Sequence, residues 1–353
     1  MAIQATNGPN VTVAGPAYTC DAVHDALALS RACTRLVDLA PNSFLMPSGG
    51  ISAATGPGCT LVLSEVYGIP YDQETLQDGC MKGLRVRILD MAMSIPVPER
   101  MQRLEARDVA LFSFGWGKPM YAGWGGIACF QDTELAGRVR EIRDRWSTLE
   151  SPGLRFRRGC WTLFQVTMNQ RHLYGVFHER YLYRLYKTTA SLRNEQIQTS
   201  PTALQFAPGR KPNALPPEWT RPTTELNRRL ALHNLRTSGQ NAELRLRQAE
   251  IYSKCLVESG LLRGPGNNAL PQSHFPVLFS PSVRDRMCDY LRGCGIDTST
   301  LFPFPVGLDR DCYPKAAEVA DEVVTLPLGP TVGIDEVQTV SRYVKDGMRK
   351  LGL

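Results

Sequence analysis

Short apolar segments alternate with helical patterns in the N-terminal part of the chain, and this alternation constrains the fold most strongly. Val11–Cys20 predicts a buried strand that enters a loop, Asp21–Arg31 a helix with Asp21 as its N-cap, and Thr34–Leu39 a second strand. This order forms a βαβ unit, whose crossover is right-handed in nearly all proteins. Further strands are predicted over residues 60–65, 85–90 and 109–112, with a helix over 73–82. The chain is therefore predicted to be an α/β protein with a mostly parallel sheet.

One glycine-rich loop follows the last of these parallel strands and carries a single lysine. Ser113 to Gly126 reads SFGWGKPMYAGWGG, with Lys118 five residues after Ser113. Glycine lets a backbone approach a ligand closely, and open α/β sheets bind ligands at loops beyond their strand ends. A loop lysine is ordinarily a solvated surface group, because lysine is among the least buried residues. The alternative is a lysine that forms a Schiff base with an aldehyde cofactor.

Asp90 is the second candidate, because it ends the predicted strand RVRILD and precedes MAMS. An aspartate at a strand end is ordinarily a cap or turn residue. A buried carboxylate can instead keep a proton on a cofactor nitrogen. The residues alone leave both interpretations open.

Composition narrows the class of protein. The chain has 353 residues, 43% of them hydrophobic, which suffices for a large domain with a smaller one attached. The net charge is +6, with an arginine-rich interval at 221–247. A solvated helix face is the ordinary interpretation of this interval, attraction for an anionic or phosphorylated substrate is a second, and nucleic-acid binding is the weakest.

The cysteines indicate a reducing compartment. Ten are present without any CxxC pair, which is typical of buried thiols in a cytosolic protein and not of a disulfide or zinc scaffold. His172 and His178 have no partner at ligand spacing, so no metal site is predicted. No stretch has the ~18 apolar residues of a membrane span, and Met1–Asn10 shows no secretory signal. A cytoplasmic protein that binds no membrane is expected.

The lysine loop resembles that of the DegT/StrS-type sugar aminotransferases, which are fold-type-I enzymes that use pyridoxal phosphate. The family's loop has serine and phenylalanine, three variable residues, lysine, and a glycine-rich turn before a strand. In this sequence the segments SFGWGK, GWGG and Ile127–Phe130 match it, with Trp124 where the family usually has glutamate. The family's strand ending in aspartate and its tyrosine-glycine-x-proline turn match at Asp38 and at VYGIP, residues 66–70.

The resemblance assigns roles to four residues. Lys118 would hold pyridoxal phosphate and act as the catalytic base and acid. Asp90 would pair with the pyridine nitrogen, and Ser113 would donate its hydroxyl to the phosphate. Met93 stands where the family has glutamine or histidine against the cofactor, and its thioether would pack on the ring.

The resemblance covers most of residues 11–150 and 240–353. In the C-terminal part the family's order matches FPVLF at 275–279, a helix within 284–298 that Gly293 and Gly295 stop, FPFP at 302–305, YPKAAEVA at 313–320, VVTLPLGP at 323–330 and a last helix at 334–350. Six prolines between Thr199 and Pro222 predict a linker. The predicted domains are a cofactor-binding domain over 1–198, the linker over 199–222, and a helix with a small α+β domain over 223–353. Residues 155–194 predict a packed helix pair.

The resemblance implies a pyridoxal-phosphate-dependent aminotransferase that acts on a nucleotide-linked keto-sugar, with an amino-acid donor, as a homodimer. The family normally has several dozen residues before the first strand, where a helix N-terminus binds the cofactor phosphate. This chain offers about ten. The shortened N-terminus, Met93 and Trp124 favour an alternative, a non-catalytic homologue used for binding or as the partner of an active subunit.

Overall fold

The computed structural model describes residues 1–6, 11–30, 32–77, 79–115, 117–147, 151–168, 221–263 and 272–352. A six-stranded sheet organises the N-terminal part, in the order β2-β1-β3-β4-β5-β6. Its strands are β1 Thr12–Pro16, β2 Cys33–Val37, β3 Thr60–Ser64, β4 Val86–Asp90, β5 Asp108–Ser113 and β6 Gly126–Phe130. All neighbouring pairs are parallel except β5 and β6. The predicted strands are present, and the predicted mostly parallel sheet is confirmed.

Helices connect and cover these strands. They are α1 Ala2–Thr6, α2 Asp21–Ser30, α3 Ser48–Ala54, α4 Gln73–Gln77, α5 Pro98–Met101, α6 Thr133–Trp146 and α7 Pro152–Met168. The predicted helix over 73–82 is shorter than expected, since α4 ends at Gln77 and a 3-10 turn follows over Gly79–Gly83. Glycine has the highest conformational entropy in the unfolded chain, which disfavours a continuous helix there.

The C-terminal part begins with two consecutive helices and ends in a small two-stranded sheet. Its elements are α8 Glu225–Arg236, α9 Ser238–Tyr252, β7 His274–Leu278, α10 Pro281–Gly293, α11 Pro314–Glu322, β8 Val323–Pro327 and α12 Ile334–Leu351. A π-helical turn, Ser253–Val257, continues α9. Strands β7 and β8 are antiparallel. The helix predicted from Arg284 begins earlier, at Pro281, because proline is favourable in a first helical turn. It ends at Gly293, and the chain turns at Gly295 with φ +79°, so the predicted stop at these two glycines is confirmed.

One large apolar core lies in the N-terminal part of the chain, and another lies in the C-terminal part. One joins the sheet of β1–β6 to α11 through Ala316, Val319 and Ala320. The other packs α9, α10 and α12 against β7 and β8. The element α11 therefore belongs to the core of the large sheet although it lies in the predicted small domain. The predicted domain boundaries stay a prediction.

Several sequence predictions concern residues that the structure does not describe. Residues 199–220 of the predicted linker, His172, His178 and the second helix of the predicted pair lie outside the described residues. Among the helices that are described, none combines the length and the apolar character that crossing a membrane requires.

Candidate active site

A cavity of about 470 Å³ opens at the carboxyl ends of β3, β4 and β5. All four residues predicted for the site line it: Asp90, Met93, Ser113 and Lys118. Asp90 and Ser113 are the last residues of neighbouring strands, and Lys118 lies in the loop that leaves β5. In doubly wound sheets ligands bind in this position, outside the carboxyl ends of the strands.

The Asp90 carboxylate is held by two hydrogen bonds. The hydroxyl of Ser64, its register partner on β3, donates to Oδ2 at 3.0 Å, and the amide of Ala92 donates to Oδ1 at 3.2 Å. The hydrogen bond from the Ala92 amide is the one expected of an aspartate that acts as a turn residue at a strand end. Burial raises the pKa of Asp90, while the Lys118 charge and these two hydrogen bonds act in the opposite direction. Asp90 is thus a carboxylate that a cationic partner in the cavity would stabilise.

The Lys118 loop turns sharply back into the cavity. Gly117 has φ +72°, a conformation that favours glycine, and the amide of Lys118 donates to the carbonyl of Gly115 at 3.3 Å. Lys118 is half-buried. Its charge lowers the pKa of Asp90 and Cys20, which line the cavity, and that of His274 at the start of β7. The amine and the carboxylate therefore share one cavity and lie close enough to interact.

Ser113 closes the turn between β5 and the lysine loop. Its Oγ accepts a hydrogen bond from the amide of Gly115 at 3.2 Å. Its register partner is Gly126, where a Cβ would lie 2.4 Å from the carbonyl oxygen of Phe112. The strand pair β5–β6 therefore requires glycine at that position, and the Ser113 hydroxyl lines the cavity in addition to holding the turn.

Met93 and Glu65 form part of the wall. The Met93 side chain is buried, and its carbonyl oxygen would lie 2.4 Å from a Cβ at Gly68. Glu65 accepts from Ser94 Oγ at 2.5 Å and forms an ion pair with Arg100. Because Glu65 is paired in this way, it is a structural carboxylate of the wall.

Among the other residues that line the cavity are Thr19, Cys20 and Phe302, which the sequence did not single out. Burial raises the pKa of the Cys20 thiol, against the Lys118 charge. Phe302 has φ +63°, which is strained for an aromatic residue. Its ring contacts those of Tyr18 and Tyr67, with centroids 6.0 and 5.8 Å apart. The FPFP segment indicated a turn but not its long-range contact.

Residues that the sequence placed near the site have other partners. Trp124 does not line the cavity; its side chain is 39% exposed, and the guanidinium of Arg158 lies 5.9 Å from its ring centroid. In the arginine-rich interval, ion pairs on the helix surface join Arg228 and Arg229 to Glu225, and Arg247 to Glu243. Within the described part of the chain, no three His, Cys, Asp or Glu side chains form a group that could hold a metal ion.

The cavity fits pyridoxal phosphate in its chemistry. It offers the Lys118 amine, the Asp90 carboxylate, which favours a cationic partner, the Ser113 residue with its hydroxyl, and largely apolar walls. Its volume lies within the usual range for small-molecule sites.

Comparison with known proteins agrees with this geometry. Residues 1–171 match the DegT/DnrJ/EryC1/StrS aminotransferase family. The aminotransferase TlmJ from Streptoalloteichus hindustanus is 21% identical, with a TM-score of 0.66 over 100% of this chain and 83% of that one. NtdA from Bacillus subtilis, solved with bound cofactor PMP, is 17% identical, with a TM-score of 0.63 over 99% and 71%. DesI, solved in the presence of its TDP-sugar product, is 18% identical, with a TM-score of 0.64 over 99% and 78%.

These matches confirm the recognised family and the fold-type-I architecture. The structural likeness extends over the whole chain, whereas the family match covers its N-terminal 171 residues. Residues 1–171 are thus similar to the DegT/DnrJ/EryC1/StrS aminotransferase family, whose members are transaminases that depend on pyridoxal phosphate.

Proposed function

We propose that this protein is a pyridoxal-phosphate-dependent aminotransferase that acts on a keto-sugar. The observation that carries the proposal is that Lys118 and Asp90 share one cavity and interact through their charges. The family of residues 1–171 supports it. Pyridoxal phosphate, when bound, supplies an aldehyde for the amine and an electron sink for a carbanion.

Lys118 is the catalytic residue in this proposal. Its Nζ would be the group that holds pyridoxal phosphate. As a free amine it would act as general base and acid, moving a proton between the substrate carbon and the cofactor. A loop anchored at both ends by β5 and β6 suits this role, because the amine must reach the same atoms in both half-reactions.

Asp90 keeps the pyridine nitrogen protonated. Ser64 and the Ala92 amide hold its carboxylate at the end of β4. A pyridinium N–H opposite the carboxylate would offset the burial that raises the pKa of Asp90. The electron sink depends on that proton, so Asp90 contributes to the rate and also to binding.

Ser113 and Met93 complete the cofactor contacts. The Ser113 hydroxyl can donate to the phosphate while its oxygen accepts from the amide of Gly115. Met93, in the loop after β4, would pack its thioether against the ring.

The substrate proposal is a nucleotide-linked keto-sugar with an amino-acid donor. The TDP-sugar product of the DesI structure supports the nucleotide linkage. The homodimer and the cytoplasmic location stay predictions that follow from the family and from the composition.

The decisive experiment compares Lys118→Ala with Lys82→Ala, since Lys82 is an exposed lysine that does not line the cavity. The purified wild type and Lys82→Ala should turn yellow with pyridoxal phosphate and lose the colour with an amino donor. Lys118→Ala should do neither. A colourless wild type would refute the proposal and favour the non-catalytic homologue.

A further inference from the structure

The segment that follows Lys118 is held by three asparagines from one face of α8 and α9. The side-chain amide of Asn227 donates to the carbonyl of Ala122 at 2.6 Å, that of Asn234 to Tyr121 at 2.7 Å, and that of Asn241 to Pro119 at 3.2 Å. The asparagines recur every seven residues, which is close to two helical turns. The loop and the helix pair are therefore in register over three successive contacts.

The asparagine nearest to Lys118 also binds a buried arginine. Asn241 Oδ1 accepts from Arg245 Nε at 2.8 Å, so its amide spans from the lysine loop to Arg245. Arg245 is 7% exposed, and burial lowers its pKa to about 10. This contact fixes the Asn241 amide, because its oxygen faces the guanidinium and its nitrogen faces Pro119.

Arg245 joins the lysine loop to the C-terminal sheet. Its Nη1 donates to the backbone carbonyls of Gln272, Ser273 and Leu328, all at 3.0–3.1 Å. A Cβ at Gly329 would lie 2.5 Å from Nη2, so the adjacent position accommodates only glycine. The guanidinium thus holds the beginning of β7 and the residue that follows β8 at one point.

The same network returns to the loop that follows Asp90. Gln272 Oε1 accepts from the backbone amide of Ile95 at 3.0 Å, and the backbone N–H of Gln272 donates to the carbonyl of Tyr67 at 3.0 Å. The loop beside Lys118 and the loop after Asp90 are therefore tied to a common set of side chains, which are Asn241, Arg245 and Gln272.

We propose that Asn241 is a positioning residue that fixes Lys118 relative to Asp90 through the Pro119 carbonyl and Arg245. The expected effect on the reaction rate rests on the proposed function. A displaced loop moves the amine away from the reacting carbon, and misplacement of about 1 Å can cost about a hundredfold in rate. The loop contact itself exists whether or not a cofactor binds.

The test compares Asn241→Asp with Gln240→Glu. Asn241→Asp keeps the acceptor for Arg245 but removes the donor to Pro119, whereas Gln240→Glu makes the same charge change at an exposed neighbour. In protein without added cofactor, the amides of residues 117–122 other than Pro119 should exchange hydrogen about tenfold faster in Asn241→Asp and at the wild-type rate in Gln240→Glu. This arm does not depend on the aminotransferase activity.

The kinetic arm measures both variants with pyridoxal phosphate and an amino donor. We expect kcat to fall about tenfold to a hundredfold in Asn241→Asp with little change in the KM of the donor, and a partial recovery in Asn241→Gln. Unchanged exchange at 117–122, or faster exchange with an unchanged kcat, would overturn the proposal. If Asn241→Asp does not fold, Asn234→Asp serves in both arms, because its amide holds the next carbonyl.

Discussion

At the scale of single residues, the site depends on Ser64, which takes no part in the proposed reaction but contacts Asp90. Ser64 lies opposite Asp90 in the β3–β4 register and donates to its carboxylate. A carboxylate that carries fewer hydrogen bonds holds its negative charge less well, and its pKa moves further up. The affinity for the cofactor should therefore depend on Ser64 as well as on Asp90.

Replacing Ser64 by alanine should weaken the binding of pyridoxal phosphate by about fivefold to tenfold, since one hydrogen bond to a buried carboxylate is lost. Titration of the visible absorbance with cofactor measures the dissociation constant. Ser282→Ala, at an exposed position on α10, is the matched control. An equal dissociation constant in Ser64→Ala and the control would show that Asp90 does not need this contact.

A buried histidine should make stability depend on pH. His24 is 1% exposed, its Nε2 donates to the carbonyl of Pro16 at 3.1 Å, and burial lowers its pKa to about 4. The unfolded chain binds a proton on this residue near pH ~6.5. As pH falls from about 6.5 to about 4, only the unfolded state gains the proton, so the free energy of unfolding decreases by at most about 1.4 kcal/mol per pH unit from this group.

Urea unfolding between pH 7 and pH 4 measures this slope. His24→Gln should make it shallower, and His233→Gln, at an exposed position, should leave it unchanged. Part of the slope should remain in His24→Gln, because burial and then the charges of Arg245 and Lys118 lower the pKa of His274 to about 3. A wild-type slope in His24→Gln would mean that His24 is charged in the folded protein.

Residues were predictable where a local signal marked them. Lys118 and Ser113 stand in a glycine-rich loop, and Asp90 ends an apolar run, so the sequence indicated all three. Ser64 and Asn241 act only through a strand register and a helix packing that sequence spacing does not specify. The seven-residue spacing of Asn227, Asn234 and Asn241 was the only signal available for the loop contacts.

At the scale of elements, the turn after β3 is built around one glycine. Gly68 has φ +76°, and a Cβ there would lie 2.4 Å from the carbonyl oxygen of Met93 and 2.9 Å from Cβ of Gln272. The turn thus brings the loop that follows Asp90 and the beginning of β7 against the same backbone position. A side chain at this position would push apart two segments that surround the cavity.

Gly68→Ala should lower the free energy of unfolding by about 2 kcal/mol or more, through backbone strain and the contact with Met93. Gly58→Ala is a matched control, since Gly58 has φ +75° with no atom within 4 Å of its Cβ. The control should show the backbone strain alone, about 1 kcal/mol. Equal losses in urea unfolding of the two variants would show that the close approach has no energetic weight.

Element positions followed from the sequence better than element ends. The strands that surround the site were predicted within a few residues, because each is an apolar run followed by a polar turn. The helix predicted over 73–82 ends early, at Gln77, since glycine weakens a helix over several residues. The predicted stop at Gly293 and Gly295 is confirmed, but that helix begins three residues before the predicted start.

At the scale of the whole molecule, a residue of the large sheet caps a helix of the C-terminal part. The Asp38 carboxylate, which follows β2, accepts from the amides of Lys315 and Ala316 at 3.0 and 2.8 Å. The same helix, α11, packs into the core of the large sheet. Tyr18 on the large-sheet side also donates its hydroxyl to the carbonyl of Leu301 at 3.2 Å. The two parts should therefore unfold together.

Asp38→Ala should lower the free energy of unfolding by about 1–2 kcal/mol, because two amides at the start of α11 lose their acceptor. Near- and far-ultraviolet circular dichroism should still show one shared transition. Asp132→Ala, which removes a local cap from α6, is the comparison. Two separate transitions in the wild type would contradict the coupling between the parts.

The sequence resemblance anticipated the α/β class and the family, since both depend on local motifs in a fixed order. It did not anticipate that α11 joins the core of the large sheet. That contact joins Asp38 to Ala316, and no local pattern records a pairing at such a separation.

The most direct test of the account is reductive trapping with peptide mapping. The wild type, Asp90→Asn and Lys118→Ala are incubated with pyridoxal phosphate, reduced with borohydride and digested. The account predicts a pyridoxyl group on Lys118 in the wild type, less of it in Asp90→Asn, and none in that peptide of Lys118→Ala. A label confined to other lysines, or no label in the wild type, would contradict the central claim that Lys118 and Asp90 form a pyridoxal-phosphate site.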